Sequence, residues 1–203
     1  MTEKKQDQYF AEKPTSELRI NQVKALLRKH EFEFHTGSGV FASKKIDRGT
    51  KVLIDWLIMK EDWKVLDMGC GYGPVGIVVK KLYPLTEVFM SDINERAVML
   101  ARTNAKSIDV EAHIKQGNLY EPFRNEKFDT IIVNPPQIAG RALCYKIIED
   151  APGYLADNGL LQLVARHNKG GAMLEKKMKG VFGNVRTIKK SGGFRIYVSE
   201  KNG

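Results

Sequence analysis

The sequence has 203 residues, 42% of them hydrophobic, and a formal net charge of +9, which suits one compact domain with at most a small appendage and a polyanionic partner. No stretch approaches the roughly 20 apolar residues that cross a membrane, and the N-terminal "MTEKKQDQYF" lacks the apolar centre of a signal peptide, so a cytoplasmic protein is expected. Two cysteines, Cys70 and Cys144, are too few for a disulfide framework and lack CxxC spacing, and the scattered His30, His35, His113 and His167 point to no metal.

Residues 1–20 read as a polar arm with Tyr9 and Phe10 as anchors. "VKALLRKHEFEFHTGSGVF" alternates apolar and polar residues around "RK" and again around "TGSG", which predicts a short hairpin or meander. "DRGTKVLIDWLIMK" opens on a capping Asp47 and continues at helical spacing. From Asp62 strands and helices alternate. "WKVLDM" is a strand, "PVGIVVKKLY" a helix with Pro74 in its first turn, "EVFMSD" a strand, "NERAVMLARTNAKS" a helix and "VEAHIKQG" a strand. "FDTIIVN" is a strand, "AGRALCYKIIEDAPGYLA" mostly helix with a break at Pro152-Gly153, "GLLQLVAR" a strand and "GGAMLEKKMKGVF" a helix. "NVRTIKK" and "FRIYVSE" are closing strands joined through Ser191, Gly192 and Gly193. The alternation predicts an α/β fold, a doubly wound, mostly parallel sheet covered on both faces, whose last pair is antiparallel. A small β-rich extension over residues 1–46 and the α/β unit over residues 47–203 are the expected divisions.

"VLDMGCGYGPVG" follows the first strand of the alternation and opens a helix. Gly69, Gly71 and Gly73 permit tight turning and close backbone approach to a ligand, and Gly71, Gly73 and Gly76 fit the GxGxxG dinucleotide pattern. Asp67 precedes these glycines, at the expected mouth of the crevice. A carboxylate there repels a pyrophosphate and attracts a ligand carrying an ammonium and a sulfonium, as S-adenosylmethionine does. Asp92 ends the next strand, about 20 positions on, where a carboxylate accepts from both ribose hydroxyls. The plainer alternative has Asp67 capping a turn and Asp92 capping the following helix. Asn118, in "KQGNLYEPF", meets the adenine edge or serves as a turn residue. Cys70, Ile93 and Leu119 are counted with these residues in the expected cofactor-binding set.

"IIVNPPQ" is a strand that stops against two prolines, which cannot donate to a ladder. Ligands of open α/β sheets bind beyond the carboxyl ends of the strands, so Asn134 to Gln137 should face Asp67 to Gly73 across one crevice. An exocyclic base amine is a poor nucleophile because its lone pair is delocalised into the ring. Two acceptors aimed at its N–H groups localise that pair, and the side-chain oxygen of Asn134 and the carbonyl of Pro135 suit the task. Pro135 biases Asn134 toward extended geometry, and Pro135 with Pro136 holds the carbonyl rigid. Asn134 is also placed in the cofactor-binding set. The alternative is a rigid turn that happens to follow an asparagine.

"DMGCGYG" followed by "NPP" resembles the class I methyltransferases that modify amino groups. "YFAEKPTS", "TGSGVF" and "DRGTKVLI" further resemble the methyltransferase small family, which includes ribosomal RNA guanine-N2 methyltransferases. The resemblance runs over nearly the whole chain. It implies a seven-stranded Rossmann-like methyltransferase sheet of order 3-2-1-4-5-7-6, with S-adenosylmethionine as cofactor. It also implies Asp67, Gly69 and Gly71 at the methionine end, Asp92 at the ribose, Asn118 at the adenine, and Asn134, Pro135 and Pro136 in catalysis, with Phe41 near the cofactor. Two departures stand out. Gln137 occupies the place after "NPP" where the family often has an aromatic residue, and the extra N-terminal domain of the bacterial guanine-N2 enzymes has no counterpart in this sequence. Gln137 would then read a base edge, with stacking supplied by Tyr72 or an N-terminal aromatic.

From Arg166 to Gly203 ten Lys and Arg face only Glu175 and Glu200. A polyanion, most simply RNA, explains this concentration, with Lys176, Lys177 and Lys179 as phosphate contacts; a solvated basic face is the alternative. The leading reading is methyl transfer from S-adenosylmethionine to an exocyclic amine of an RNA base, guanine N2 in ribosomal RNA, with ribosomal RNA or a ribosomal subunit as partner. The alternatives are methylation of a protein glutamine amide and a non-catalytic RNA-binding relative.

Overall fold

In the computed structural model, which describes residues 11–136 and 140–203, a hairpin of β1 (Ile20–Leu27) and β2 (His30–Gly37) precedes helix α1 (Arg48–Trp56). Next come β3 (Lys64–Met68), α2 (Pro74–Leu82), β4 (Glu87–Asp92), α3 (Glu95–Ile108), β5 (His113–Gln116) and β6 (Phe128–Val133). The chain closes with α4 (Arg141–Asp150), β7 (Leu155–Arg166), α5 (Gly171–Phe182), β8 (Arg186–Ser191) and β9 (Phe194–Glu200). The last seven strands form one sheet in the order β5-β4-β3-β6-β7-β9-β8. Neighbours from β5 through β7 run parallel, and β9 is antiparallel to both β7 and β8. Counted from β3, this is the order 3-2-1-4-5-7-6 that the resemblance implies.

The continuous apolar run of β6 follows from burial on both faces. Ile132 packs with Val65, Val88 and Ile77 on the side of α1, α2 and α3, whereas Ile131 and Val133 pack with Leu66, Ile148 and Met178 on the side of α4 and α5. Full burial of each isoleucine contributes about 1.5–3 kcal/mol. The chain leaves β3 toward β4 on one side and returns as β6 on the other, so strand order reverses there. In the register Met68 pairs with Val133. Gly69 and Asn134 therefore leave the sheet side by side.

The hairpin is fastened to this frame by polar contacts. Arg28 and Lys29 turn it with φ of +46° and +68°. The Arg28 guanidinium donates to the carbonyls of Ile54 and Leu57 at 2.7 and 2.6 Å, which satisfies orphan carbonyls at the end of α1. Fully buried Asn104 of α3 bonds both backbone groups of His35, at 2.7 and 2.8 Å, and donates to the carbonyl of Tyr72 at 2.8 Å. One amide thus ties the hairpin to the glycine turn.

Of the hairpin or meander expected, the structure has the hairpin: after Gly37 the chain turns into a loop, Gly39 and Ala42 take φ of +74° and +56°, and α3 holds this loop through Asn94 to Gly39 (2.8 Å) and Arg96 to Ser38 (2.7 Å). Two segments differ from the sequence expectation. β5 is only four residues long, because Asp109 at φ +58° ends α3 and the Val110 N–H bonds back to Ala105 at 3.0 Å. β7 begins earlier, at Leu155, and absorbs "ADNG" as an irregularity, with Asn158 at φ +62° and the register shifting opposite Phe128 and Thr130.

Candidate active site

A cavity of about 600 Å³ opens beyond the carboxyl ends of β3, β4 and β6. Ten of the expected site residues lie in its wall: Phe41, Gly69, Gly71, Asp92, Ile93, Asn118, Leu119, Asn134, Pro135 and Pro136. Local rules explain their placement. Gly69 and Gly71 adopt φ of +68° and +58°, and a Cβ on either would meet no atom within 4 Å. Both therefore present bare backbone to open space, which fits close approach of a ligand.

Asp92 ends β4 with both carboxylate oxygens engaged. Oδ2 accepts the N–H of Gly71 at 2.8 Å and Oδ1 that of Asn94 at 2.9 Å. Burial pushes its carboxyl above the usual range, and these N–H groups pull it back. It is not the helix cap of the alternative reading. Asn94 caps α3, accepting from the N–H groups of Arg96 and Ala97 at 2.9 and 3.1 Å.

Three residues of the expected cofactor-binding set are absent from the wall. Asp67 is 3% exposed and stands behind the glycine turn rather than at the mouth, with Oδ2 accepting the Gly76 N–H at 2.9 Å. Burial raises its carboxyl to about 7, the nearby Asp92 charge adding a little and the Gly76 N–H opposing. Cys70 and Gly73 also fall behind the turn: the Cys70 thiol is buried, and a Cβ on Gly73 would press on Ile77 and Met90 at 2.7 and 2.9 Å. Tyr72 does not serve as a stacking platform. It is 2% exposed and packs against Phe34, because α3 and the hairpin cover it. Gln137, Tyr9 and Phe10 lie outside the described residues.

Beside the glycine turn, at the end of β6, Asn134 is held through its nitrogen. Nδ2 donates to Thr50 Oγ1 at 2.9 Å and to Asp47 Oδ2 at 3.2 Å. Leu143 and Ile147 of α4, Arg166 at the end of β7, Lys169 after it, and Phe194 at the start of β9 line the cavity as well. The Arg166 guanidinium lies 4.8 Å above the Phe194 ring. Sequence reading missed Asp47, Thr50, Arg166, Lys169 and Phe194 as site residues. Asp47 was legible as a cap and Phe194 as the residue after a Gly-Gly turn, but no local signal joins them to Asn134. Lys176, Lys177 and Lys179 sit on α5, away from the cavity wall. Lys177 pairs with Glu149 and lies over the Tyr145 ring, so its charge is already partly neutralised. Among the described residues no three His, Cys, Asp or Glu gather as metal ligands, and no helix is long and apolar enough to cross a membrane.

Comparison with known proteins places this arrangement. An uncharacterized protein of Bacillus subtilis, YbxB, is 31% identical over 198 residues, covering 96% of this chain and 98% of that protein. Ribosomal RNA small subunit methyltransferase C of Hamiltonella defensa is 30% identical over 173 residues, covering 82% of this chain and 50% of that one. The chain thus spans about half the length of the relatives named methyltransferase C. A T. thermophilus 16S rRNA N2 methyltransferase (RsmC) in complex with AdoMet and guanosine superposes with a TM-score of 0.80 at 22% identity, over 93% of this chain and 52% of that one. The family model described as the methyltransferase small domain matches residues 31–198, from the second strand of the hairpin to the last strand of the sheet. With that model spanning the glycine turn, Asp92 and the Asn-Pro-Pro wall together, the chain belongs to the methyltransferase small domain family.

Proposed function

We propose that the protein transfers a methyl group from S-adenosylmethionine to an exocyclic amine of an RNA base, guanine N2 in ribosomal RNA. One observation carries this reading: Asn134 and Pro135 share a single cavity with Gly69, Gly71, Asp92 and Asn118. When bound, adenosylmethionine supplies an electrophilic methyl group. Asp92 would receive its ribose hydroxyls, Asn118 with Ile93 and Leu119 its adenine, and the backbone of Gly69 and Gly71 its methionine end. Asp67 would act from behind that turn, and Phe41 would cover the site from the segment before Asp47. That segment is accordingly read as an extension serving the catalytic unit that begins at Asp47.

The chain's own contribution is positioning and electrostatics. The Asn134 amide oxygen and the Pro135 carbonyl receive the two N–H groups of the amine and localise its lone pair. The same acceptors stabilise the positive charge that develops on nitrogen, and the product cation then loses its proton to solvent. Arg166 and Lys169 suit the phosphates beside the target nucleotide, with Lys176 and Lys179 as outer contacts and Gln137 assigned to the base edge. The reaction is assigned to the cytoplasm as part of the same reading.

The test is transfer of a tritiated methyl group from labelled adenosylmethionine into total RNA and total protein from cells lacking the enzyme. Label in RNA, recovered as N2-methylguanosine after nucleoside digestion and mass spectrometry, is the expected result. Label in protein glutamine would overturn the RNA reading, and label in neither would overturn the enzymatic one.

A further inference from the structure

We propose that Asp47 is a positioning residue for the transfer: it fixes which end of the Asn134 carboxamide meets the target amine. The inference rests on the catalytic reading of Asn134 given above and adds a residue 87 positions earlier in the chain.

The geometry is specific. Asp47 caps α1, with Oδ2 accepting the backbone N–H of Thr50 at 3.0 Å. The same oxygen accepts from Asn134 Nδ2 at 3.2 Å, and Thr50 Oγ1 accepts from that nitrogen at 2.9 Å. Thr50 is buried, so this corner is closed to solvent on its side. A carboxylate carries no hydrogen to donate. Only the nitrogen of the Asn134 amide can therefore rest against it, and turning the amide over would set two acceptors against each other. With both Nδ2 hydrogens engaged, the amide oxygen is the Asn134 group left for the substrate. A carboxamide without this partner presents either end to the cavity, and the donor end repels an amine whose N–H groups need acceptors. The negative charge also polarises the amide through its N–H, which strengthens the oxygen as an acceptor.

Capping alone does not account for aspartate here. Serine caps a helix as well as aspartate does, but its hydroxyl is one bond shorter and does not reach across to Asn134. Asp47→Ser therefore removes the contact to Asn134 while keeping the cap. Asp47→Asn keeps an oxygen that can accept from both Thr50 and Asn134, without the charge.

The experiment is single-turnover methyl transfer at saturating labelled adenosylmethionine, with total RNA from cells lacking the enzyme as the probe. Asp47→Ser should slow transfer about 10- to 100-fold, the loss of one charge-assisted hydrogen bond, with cofactor affinity by calorimetry unchanged within about twofold. Asp47→Asn should recover most of the rate. In an Asn134→Ala background, Asp47→Ser should cost less than about twofold, because its partner is already gone. Full rate in Asp47→Ser, or an equal loss in both backgrounds, would overturn the proposal. A second readout needs no activity: in protein labelled with 15N-asparagine, the side-chain amide protons of Asn134 should be resolved and slow to exchange, and lose that protection in Asp47→Ser. Unchanged protection would overturn the contact itself. Failure of the underlying reading looks different: Asn134→Ala would retain the wild-type rate, or the wild-type protein would move no methyl group into RNA. In that last case the amide signals alone decide whether Asp47 orients Asn134.

Discussion

Replacing Asp67 by asparagine should stabilise the protein, increasingly as pH rises from about 4 to about 7. The Asp67 carboxyl is almost fully buried and raised to about 7, against 3.8 for the free group. Below about pH 4 both folded and unfolded chains hold the proton, and Asp67 makes no pH-dependent contribution. Between these values the unfolded chain ionises while the folded one keeps its proton, so stability falls as pH rises. Above about 7 the folded group ionises too, and the loss is complete. At 1.36 kcal/mol per pKa unit the full loss is at most about 4 kcal/mol. Asparagine never ionises, yet its oxygen can still accept the Gly76 N–H that Oδ2 now holds at 2.9 Å. Urea unfolding of wild type and Asp67→Asn at pH 4.5 and pH 8 cancels the titrating groups that do not interact with Asp67. The stability difference should shift by a few kcal/mol in favour of the variant between the two conditions. A difference independent of pH would refute the reasoning and show that the ionised carboxylate is tolerated behind the turn.

Asp92→Ala should weaken adenosylmethionine binding by about one to two decades, since a hydrogen bond to a charged group contributes about 1.5–3 kcal/mol; unchanged affinity by calorimetry in a folded variant would remove Asp92 from the site. Asn134→Ala should slow single-turnover transfer about 100- to 1,000-fold, by analogy with the loss of one preorganised oxyanion-hole group. Pro135→Ala should do less, because its carbonyl survives. Near wild-type turnover in Asn134→Ala would return the two prolines to a rigid turn. Neutralising Arg166 and Lys169 together should lower the log–log salt slope of RNA binding by about 0.7–0.9 per lost phosphate contact. Neutralising Lys177 should change it little, because Glu149 already pairs with it. Equal slopes in wild type and the Arg166/Lys169 variant would remove these two side chains from the RNA contact.

The sheet was legible because its signals are local. The all-apolar run Ile131 to Val133 demands two covered faces, Pro74 and Asp47 mark helix starts, and the Gly192-Gly193 pair turns the final hairpin with φ of +52° and +84°. The wall formed by Gly69, Gly71, Asp92 and Asn134 followed from the rule that ligands sit where strand order reverses, which needs only the alternation of elements. Side-chain environment, by contrast, is set by whatever the rest of the chain brings alongside. Asp67 stands next to the glycines in sequence, yet it is buried because α2 begins over it and offers the Gly76 N–H. Tyr72 lies within the turn, yet Phe34 of the hairpin takes its ring out of the cavity. Lys177 belongs to a basic run, yet Glu149 on α4 meets it. The Asn134 amide was expected to act through its oxygen, but what frees that oxygen is a carboxylate from a helix cap 87 residues away. Helix and strand periods report which face of an element is buried; only folding decides which polar groups meet there, because hydrogen bonds and charge pairs form over a few ångströms of space, whatever the separation along the chain.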